Sequence, residues 1–447
     1  MIKSLLIANR GEIAVRIIKT CKKMGIRTVQ VFSDADKDSL ATKLADEAVN
    51  IGPGPAAQSY LRGDIIIEKA LERNVDAIHP GYGFLSENAS FSANVTKKGL
   101  IFIGPSSEVI KSLGDKIAAR RIAETAGIEA VPGCEIDDLE SVMLNEIASK
   151  IGFPLMIKAA AGGGGRGIRV VDSFSDLESS LATASAEAEA SFGDGTIYLE
   201  RYIDNARHIE VQFLGDGQTF LHLFERECSI QRRRQKIWEE APASRLTSME
   251  RKKVCEMAVK LASHVNYIGV GTVEFLYDID QKTFYFIEVN TRIQVEHPTT
   301  EFITGLDIVE LMIKVAAGTK LDLEQDAIKY NGHAIECRIN AEDPDNSFFP
   351  SPGIVEKISL PASDNIRFDT FLTNGAEVPA FYDSMIGKLI AFGETREASL
   401  KNLSEALDNL SISGIATTIP LHKKLAENVD VINNDVNINF LEKKFLG

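Results

Sequence analysis

Strand and helix signals that alternate over residues 1–113, a glycine cluster between two apolar strands, and a closing segment of strands with one helix predict a mixed α/β and α+β chain. The expected order is an open parallel sheet (1–113), a middle unit (114–330) with a glycine-rich flap over about 132–203, and a C-terminal α+β unit (331–447). At 447 residues the chain exceeds one ordinary core, so roughly two to four domains are expected.

In the first unit Leu5–Ala8, Thr28–Phe32, Asp76–His79 and Ile101–Gly104 read as strands, and Ile13–Met24 as a helix with apolar residues at helical spacing. The turn Asn9-Arg10-Gly11-Glu12 sits where a dinucleotide fingerprint would, but it lacks Gly-x-Gly-x-x-Gly, which argues against NAD. The loop Pro80–Asn88 follows a strand end and suits either a substrate lining or a plain connector. In the middle, Lys116 opens a helix ending at Gly127, and Pro154–Ala159 reads as a strand carrying Lys158 among apolar neighbours. Gly162-Gly163-Gly164-Gly165-Arg166-Gly167 and the strand Ile168–Val171 follow. Consecutive glycines let backbone N–H groups approach an anion, so this unit suits a mobile flap over phosphates. It is not a Walker loop, because no Gly-Lys-Ser/Thr opens a helix.

The densest chemistry lies in Phe286–Pro298. In an extended strand Glu288, Asn290 and Arg292 share one face, and Gln294 and Glu296 join them if the extension persists. A carboxylate, an amide and a guanidinium along one edge can hold Mg²⁺ and, beside it, a small oxyanion; a solvent-facing polar strand edge is the plainer reading. Glu274, in the strand Gly271–Leu276, could complete a metal site with Glu288. Tyr198–Ile203 is a strand passing into a turn whose backbone edge could receive an adenine, and His208, Glu210 and Gln212 alternate on the next strand. The basic run Gln231–Lys236 is either a solvated patch or a collector of anionic substrates. Arg338 lies on a strand with an apolar opposite face, so it should meet a carboxylate or a ligand.

An apolar content of 44% and a charged content of 25% describe a soluble globular protein. The apolar start Leu5–Ala8 is too short for a signal peptide and no apolar run approaches a membrane span, so a cytoplasmic location without membrane contact is expected. The five cysteines are scattered without a Cys-x-x-Cys pair, signalling neither disulfides nor zinc. A net charge of −15 disfavours nucleic acid.

Together these motifs resemble the biotin carboxylase family of the ATP-grasp superfamily, over essentially the whole chain from Ile7–Ala14 to Phe440–Lys444. The resemblance rests on His79–Asn88, on Lys158 with the glycine loop, and on Arg292–Pro298. It implies an ATP-grasp fold and ATP- and bicarbonate-dependent carboxylation of biotin through carboxyphosphate, with Mg²⁺ or Mn²⁺. Carried over residue by residue, Lys116 and Lys158 match the phosphate-holding lysines, and Gly163, Gly164, Gly165 and Gly167 the lid loop. Glu200, Arg201, Tyr202 and Ile203 match the adenine hinge, with Leu276 in the same nucleotide site, and His208 and Gln231 match ribose or nucleotide contacts. Glu274, Glu288 and Asn290 match the metal site. Lys236, Arg292, Gln294, Val295 and Arg338 match the bicarbonate cradle, Glu296 the general base, Arg338 the stabiliser of the biotin enolate, and Tyr82 and Gly83 the biotin lining. Where the bacterial acetyl-CoA carboxylase type commonly reads Arg-Arg-His-Gln-Lys, Arg234 replaces the histidine here. No Met-Lys-Met biotin acceptor is present. Biotin is therefore expected on a separate biotin carboxyl carrier protein, with a carboxyltransferase subunit and a homodimeric state, as in acetyl-CoA (fatty acid biosynthesis), propionyl-CoA or pyruvate carboxylases. Another ATP-grasp ligase of the carbamoyl-phosphate or purine type, or a non-catalytic nucleotide-binding module, is the competing reading.

Overall fold

The computed structural model describes residues 2–136, 141–159, 168–192, 195–360 and 363–446. Its first sheet is parallel, in the order Glu47–Asn50, Arg27–Phe32, Ser4–Ile7, Ala77–His79, Ile101–Phe102. Leu5, Leu6 and Ile7 are fully buried, as a sheet covered on both faces requires. The strand Glu47–Asn50 was not foreseen; it is a short edge that buries only Val49, so it carries almost no apolar pattern. The helix Gly11–Lys23 buries Ile13, Ala14, Ile17, Ile18 and Cys21 and shares one core with Ile386 and Leu389 from the far end of the chain. Each of the buried isoleucines and Leu389 contributes about 1.5–3 kcal/mol.

Successive strands leave Ser4–Ile7 on opposite sides, which opens a crevice at the carboxyl ends of Ser4–Ile7 and Ala77–His79. Asn9 spans it, its Nδ2 donating to the carbonyls of Pro80 and Tyr82 at 2.7 Å each. Gly81 has φ +63°, and a Cβ there would lie 2.8 Å from Asn9 Nδ2. The Pro80–Asn88 loop is therefore clamped against the Asn9 turn only because position 81 has no side chain.

A four-stranded antiparallel sheet follows, in the order Gly133–Ile136, Ile197–Arg201, Leu155–Ala159, Ile168–Val171. With the helices Ser141–Ile151 and Phe174–Phe192 it forms a small body with its own core, including Leu144, Leu155, Ile157, Leu177 and Leu199. Strand alternation turns Met156 and Lys158 to the other face. The glycine positions 162–167 lie outside the described residues.

The third sheet has eight antiparallel strands: Thr283–Asn290, Ile268–Asp278, Ala206–Asp216, Phe220–Arg232, Gln235–Ala241, His333–Asn340, Met385–Gly393 and Ile366–Thr370. The strands after residue 331 thus extend the sheet of the middle segment. The helix Ser248–His264 covers one face, over Phe213, Val273, Phe275 and Phe286. None of the five cysteines is paired, and all but half-buried Cys134 are buried. Among the described residues no helix is long and apolar enough to cross a membrane.

Candidate active site

Strand register builds the site. Glu210, Glu274 and Glu288 are direct partners across three adjacent strands, so their side chains rise from one face. The register between Ile268–Asp278 and Thr283–Asn290 shifts by one residue at this point, pairing Phe275 with Phe286 but Glu274 with Glu288. That bulge reverses the alternation. Phe286 enters the core on the covered face while Glu288 enters the cleft, which strict period-two spacing would forbid. Asn290 lies across from Thr272, and its Nδ2 donates to Glu274 Oε1 at 2.9 Å.

Lys236 stands at the centre. Its ammonium donates to Glu274 Oε1 and Glu296 Oε1 at 2.7 Å each and also bonds Glu210. Burial alone would lower the lysine, but the carboxylates Glu210, Glu274 and Glu296 hold it well above the usual lysine range. Reciprocally, burial pushes Glu296 up, but Lys236, Arg338 and Arg226 hold it well below the ordinary range; Lys236 and His208 do the same for Glu274. Glu288 goes the other way, raised by burial and by the neighbouring Glu274. A buried carboxylate raised by a like charge is a place that a divalent cation would relieve, so Glu274 and Glu288 fit Mg²⁺ or Mn²⁺. His208 Nε2 lies 3.2 Å from Glu274 Oε2, and ligand atoms of His208, Glu210 and Glu274 sit within 4.8 Å of one another.

The expected extension does not persist past Asn290. The strand ends there, the chain turns, and Glu296 sits at the N-cap of the helix His297–Thr304. Gln294 and Glu296 reach the cleft through that turn. Gln294 Nε2 donates to Glu274 Oε1 at 2.8 Å and its Oε1 accepts from Arg226 at 2.8 Å. Arg292 bonds Glu87 Oε2 at 2.9 Å, Asn290 Oδ1 at 2.8 Å and the Ile293 carbonyl at 3.1 Å. Arg338 meets carboxylates as its burial demanded: Glu239 Oε1 at 2.6 Å and Glu296 Oε2 at 3.1 Å. Tyr82 bonds Glu12, and Gly83 holds a positive φ in the loop beside it.

Beside this cluster of charges lies an apolar cup with a charged rim. Ile203, Leu276, Val131, Ala206, Tyr285 and Ile438 pack together beside the turn that follows Ile197–Arg201. Lys158 pairs with Glu200, and Arg201 follows at the strand end. Tyr202 bonds Asp204 at 3.0 Å. Gln231 Nε2 meets His208 Nδ1 at 3.1 Å, and Lys116 lowers Glu288 by its charge. The basic run divides. Lys236 turns inward, Arg232 lies over Phe348, and Arg234 reaches Met156 Sδ across the cleft at 3.8 Å.

Sequence reasoning missed Arg226, Glu239, Glu87, Ile438, Glu12 and Lys388. Arg226 is fully buried and bonds Glu210, Gln212, Thr300 and Gln294. Only its burial cost marks it, and that is invisible until the strands pair.

Comparison with known proteins gives consistent matches. Residues 1–110 match the biotin carboxylase N-terminal domain, 115–324 the carbamoyl-phosphate synthase L chain ATP binding domain, and 336–443 the biotin carboxylase C-terminal domain. The chain is 48% identical over 446 residues to biotin carboxylase of Haemophilus influenzae, covering 99% of each. It superposes with a TM-score of 0.94 and 48% identity on biotin carboxylase from Campylobacter jejuni in its beta-gamma-ATP complex, covering 99% of this chain and 98% of that one. On the biotin carboxylase domain dimer of Hydrogenobacter thermophilus 2-oxoglutarate carboxylase, complexed with MgADP, ADP and bicarbonate, the TM-score is 0.93 at 43% identity, with 99% and 98% covered. The middle match alone would have left the carbamoyl-phosphate alternative open; with both flanks and the full length in register, the chain belongs to the biotin carboxylase family.

Proposed function

We propose that this chain carboxylates biotin at the expense of ATP and bicarbonate, giving carboxybiotin, ADP and phosphate. The observation that carries the reading is the position of Glu296, one carboxylate oxygen on Lys236 and the other on Arg338. It joins the nucleotide end of the cleft to the biotin end.

Lys116, Lys158 and the glycine loop hold the phosphates, Glu200–Ile203 with Leu276 receive the adenine, and His208 and Gln231 face the ribose side. Glu274 and Glu288, with Asn290 beside them, would hold Mg²⁺ or Mn²⁺, which would supply charge neutralisation for the phosphoryl oxygens. Bicarbonate enters between Arg292, Lys236, Gln294 and the Val295 N–H. Glu296, ionised in this setting, accepts its proton as a bicarbonate oxygen attacks the γ-phosphorus and ADP leaves. Bicarbonate beside Lys236 shares the field of its ammonium with Glu296, which keeps its contact to Lys236 and gains basicity at that moment. The carboxyphosphate breaks its carbon–oxygen bond to CO₂ and phosphate, and the phosphate removes the N1′ proton of biotin. Arg338 stabilises the resulting enolate, which attacks CO₂, with Tyr82 and Gly83 lining that side. Closure of the 132–203 lid excludes water from carboxyphosphate.

By family membership the biotin rides on a carrier protein and the product passes to a carboxyltransferase, within a cytoplasmic assembly whose biotin carboxylase part is a homodimer. Purified protein given Mg²⁺, ATP and bicarbonate should release phosphate faster when free biotin is added. Stimulation by ammonia or glutamine and none by biotin would overturn the reading in favour of a carbamoyl-phosphate type of ligase.

A further inference from the structure

We propose that Lys388 is a positioning residue for the bicarbonate cradle, fixing the peptide between Val295 and Glu296 and linking it through Glu12 to Tyr82; this rests on the function proposed above. Lys388 lies in the strand Met385–Gly393 and is fully buried, a rare state for a lysine and a costly one without partners. Its strand neighbours in register are Arg338 on one side and Asp369 on the other, so it stands beside the biotin-side arginine on the same face. The ammonium donates to the Val295 carbonyl at 2.5 Å and lies 3.3 Å from Glu12 Oε1. Glu12 in turn accepts from the Tyr82 hydroxyl.

The other acidic neighbours make weaker demands on it. Asp369 is engaged by Arg367, at 2.9 Å from Nε. Glu336 makes no side-chain hydrogen bond among the described residues, and burial pushes it up towards its neutral form. The charge of Lys388 is therefore committed to Glu12 and to one backbone oxygen. That oxygen belongs to a rigid peptide plane, so holding it sets the direction in which the Glu296 side chain leaves the chain. The preceding peptide is gripped as well, because the Gln294 carbonyl meets His297 Nδ1 at 2.7 Å. Burial holds His297 well below the ordinary histidine range, so it is the neutral imidazole that makes this contact. A trans peptide then points the Val295 N–H away from His297. Gln294–Glu296 has no strand or helix ladder of its own; two side-chain grips take the ladder's place.

The test uses Lys388→Met, Lys388→Arg and the double variant Lys388→Met/Glu12→Gln, in which no unpaired charge is left buried and folding is protected. In both methionine variants the KM for bicarbonate should rise about tenfold or more while the KM for ATP stays within about twofold, with Lys388→Arg recovering part of the loss. Amide hydrogen exchange over residues 292–298 should quicken by about tenfold in the double variant, relative to the distant strand Arg27–Phe32. A double variant with the wild-type bicarbonate KM would overturn the proposal. If the wild-type protein shows no bicarbonate-dependent ATP cleavage, the functional reading fails by itself. Exchange over 292–298 then decides the positioning role, with unchanged rates overturning it.

Discussion

The four-stranded sheet of the proposed lid and the eight-stranded sheet treat their lysines in opposite ways. Lys158, on the strand Leu155–Ala159, is 27% exposed and has, among the described residues, a single carboxylate partner, Glu200. Lys236, on the sheet, is 11% exposed and holds three: Glu210, Glu274 and Glu296. A partly exposed single pair costs less to exchange for a phosphate, whereas a largely enclosed cation within three carboxylates is part of the framework that orients them. The proposed lid is suited to trading partners. The sheet is built to keep them, so that charge develops in a setting already arranged for it.

The largest effect should come from breaking the sheet side. Lys236→Met leaves Glu210, Glu274 and Glu296 buried without their common cation, so turnover should fall by about 10³-fold and stability by about 3–5 kcal/mol. Denaturant unfolding beside steady-state rates checks both. Glu288→Gln comes next: it removes charge from the proposed cation site while relieving repulsion with Glu274, so turnover should fall by about 10²-fold with stability kept. Near-normal turnover at low Mg²⁺ would place the metal elsewhere, with the His208, Glu210 and Glu274 group the first candidate. On the lid side, Lys158→Ala should raise the KM for ATP about tenfold and change stability by less than about 1 kcal/mol. A large stability loss there would remove the contrast between the two regions.

Much of the sheet side was legible because period-two spacing is local. Glu288 and Asn290 do share a face, and Arg338 did require an anion. What was not legible came from pairing between distant segments. Glu87 binds Arg292 across 205 positions, and Arg226, Glu239 and Lys388 look like ordinary strand residues until their neighbours are known. The bulge that separates Phe286 from Glu288 left no mark in the sequence, and neither did the turn that brings Gln294 and Glu296 back to Glu274 and Lys236. Ile438 joins the cup beside Ile203 from near the chain end, a contact that no local pattern could announce.

The smallest predicted effect concerns protons. Burial pushes His79 down to about 3 and His422 down to about 4, below the ordinary value of about 6.5. Below about pH 6.5 the unfolded chain therefore binds protons that the folded chain refuses, so this stability is present at neutral pH and lost as pH falls toward 4. The segment 132–203 contains no histidine. The melting temperature should drop steadily between pH 6.5 and 4.5, with hydrogen exchange quickening in the sheets before the lid. A flat melting temperature would contradict it.

The division of the sheet site into a bicarbonate end and a biotin end is tested most directly by Arg338→Ala, assayed in parallel for carboxylation of free biotin from labelled bicarbonate and for biotin-independent ATP cleavage. Arg338 bonds Glu239 and Glu296, and its proposed duty is to the biotin enolate alone. Carboxylation should therefore fall by about 10²-fold more than ATP cleavage, the scale of removing one oxyanion-type donor. Equal losses in the two assays would mean that Arg338 serves bicarbonate or nucleotide as much as biotin, and would contradict the division.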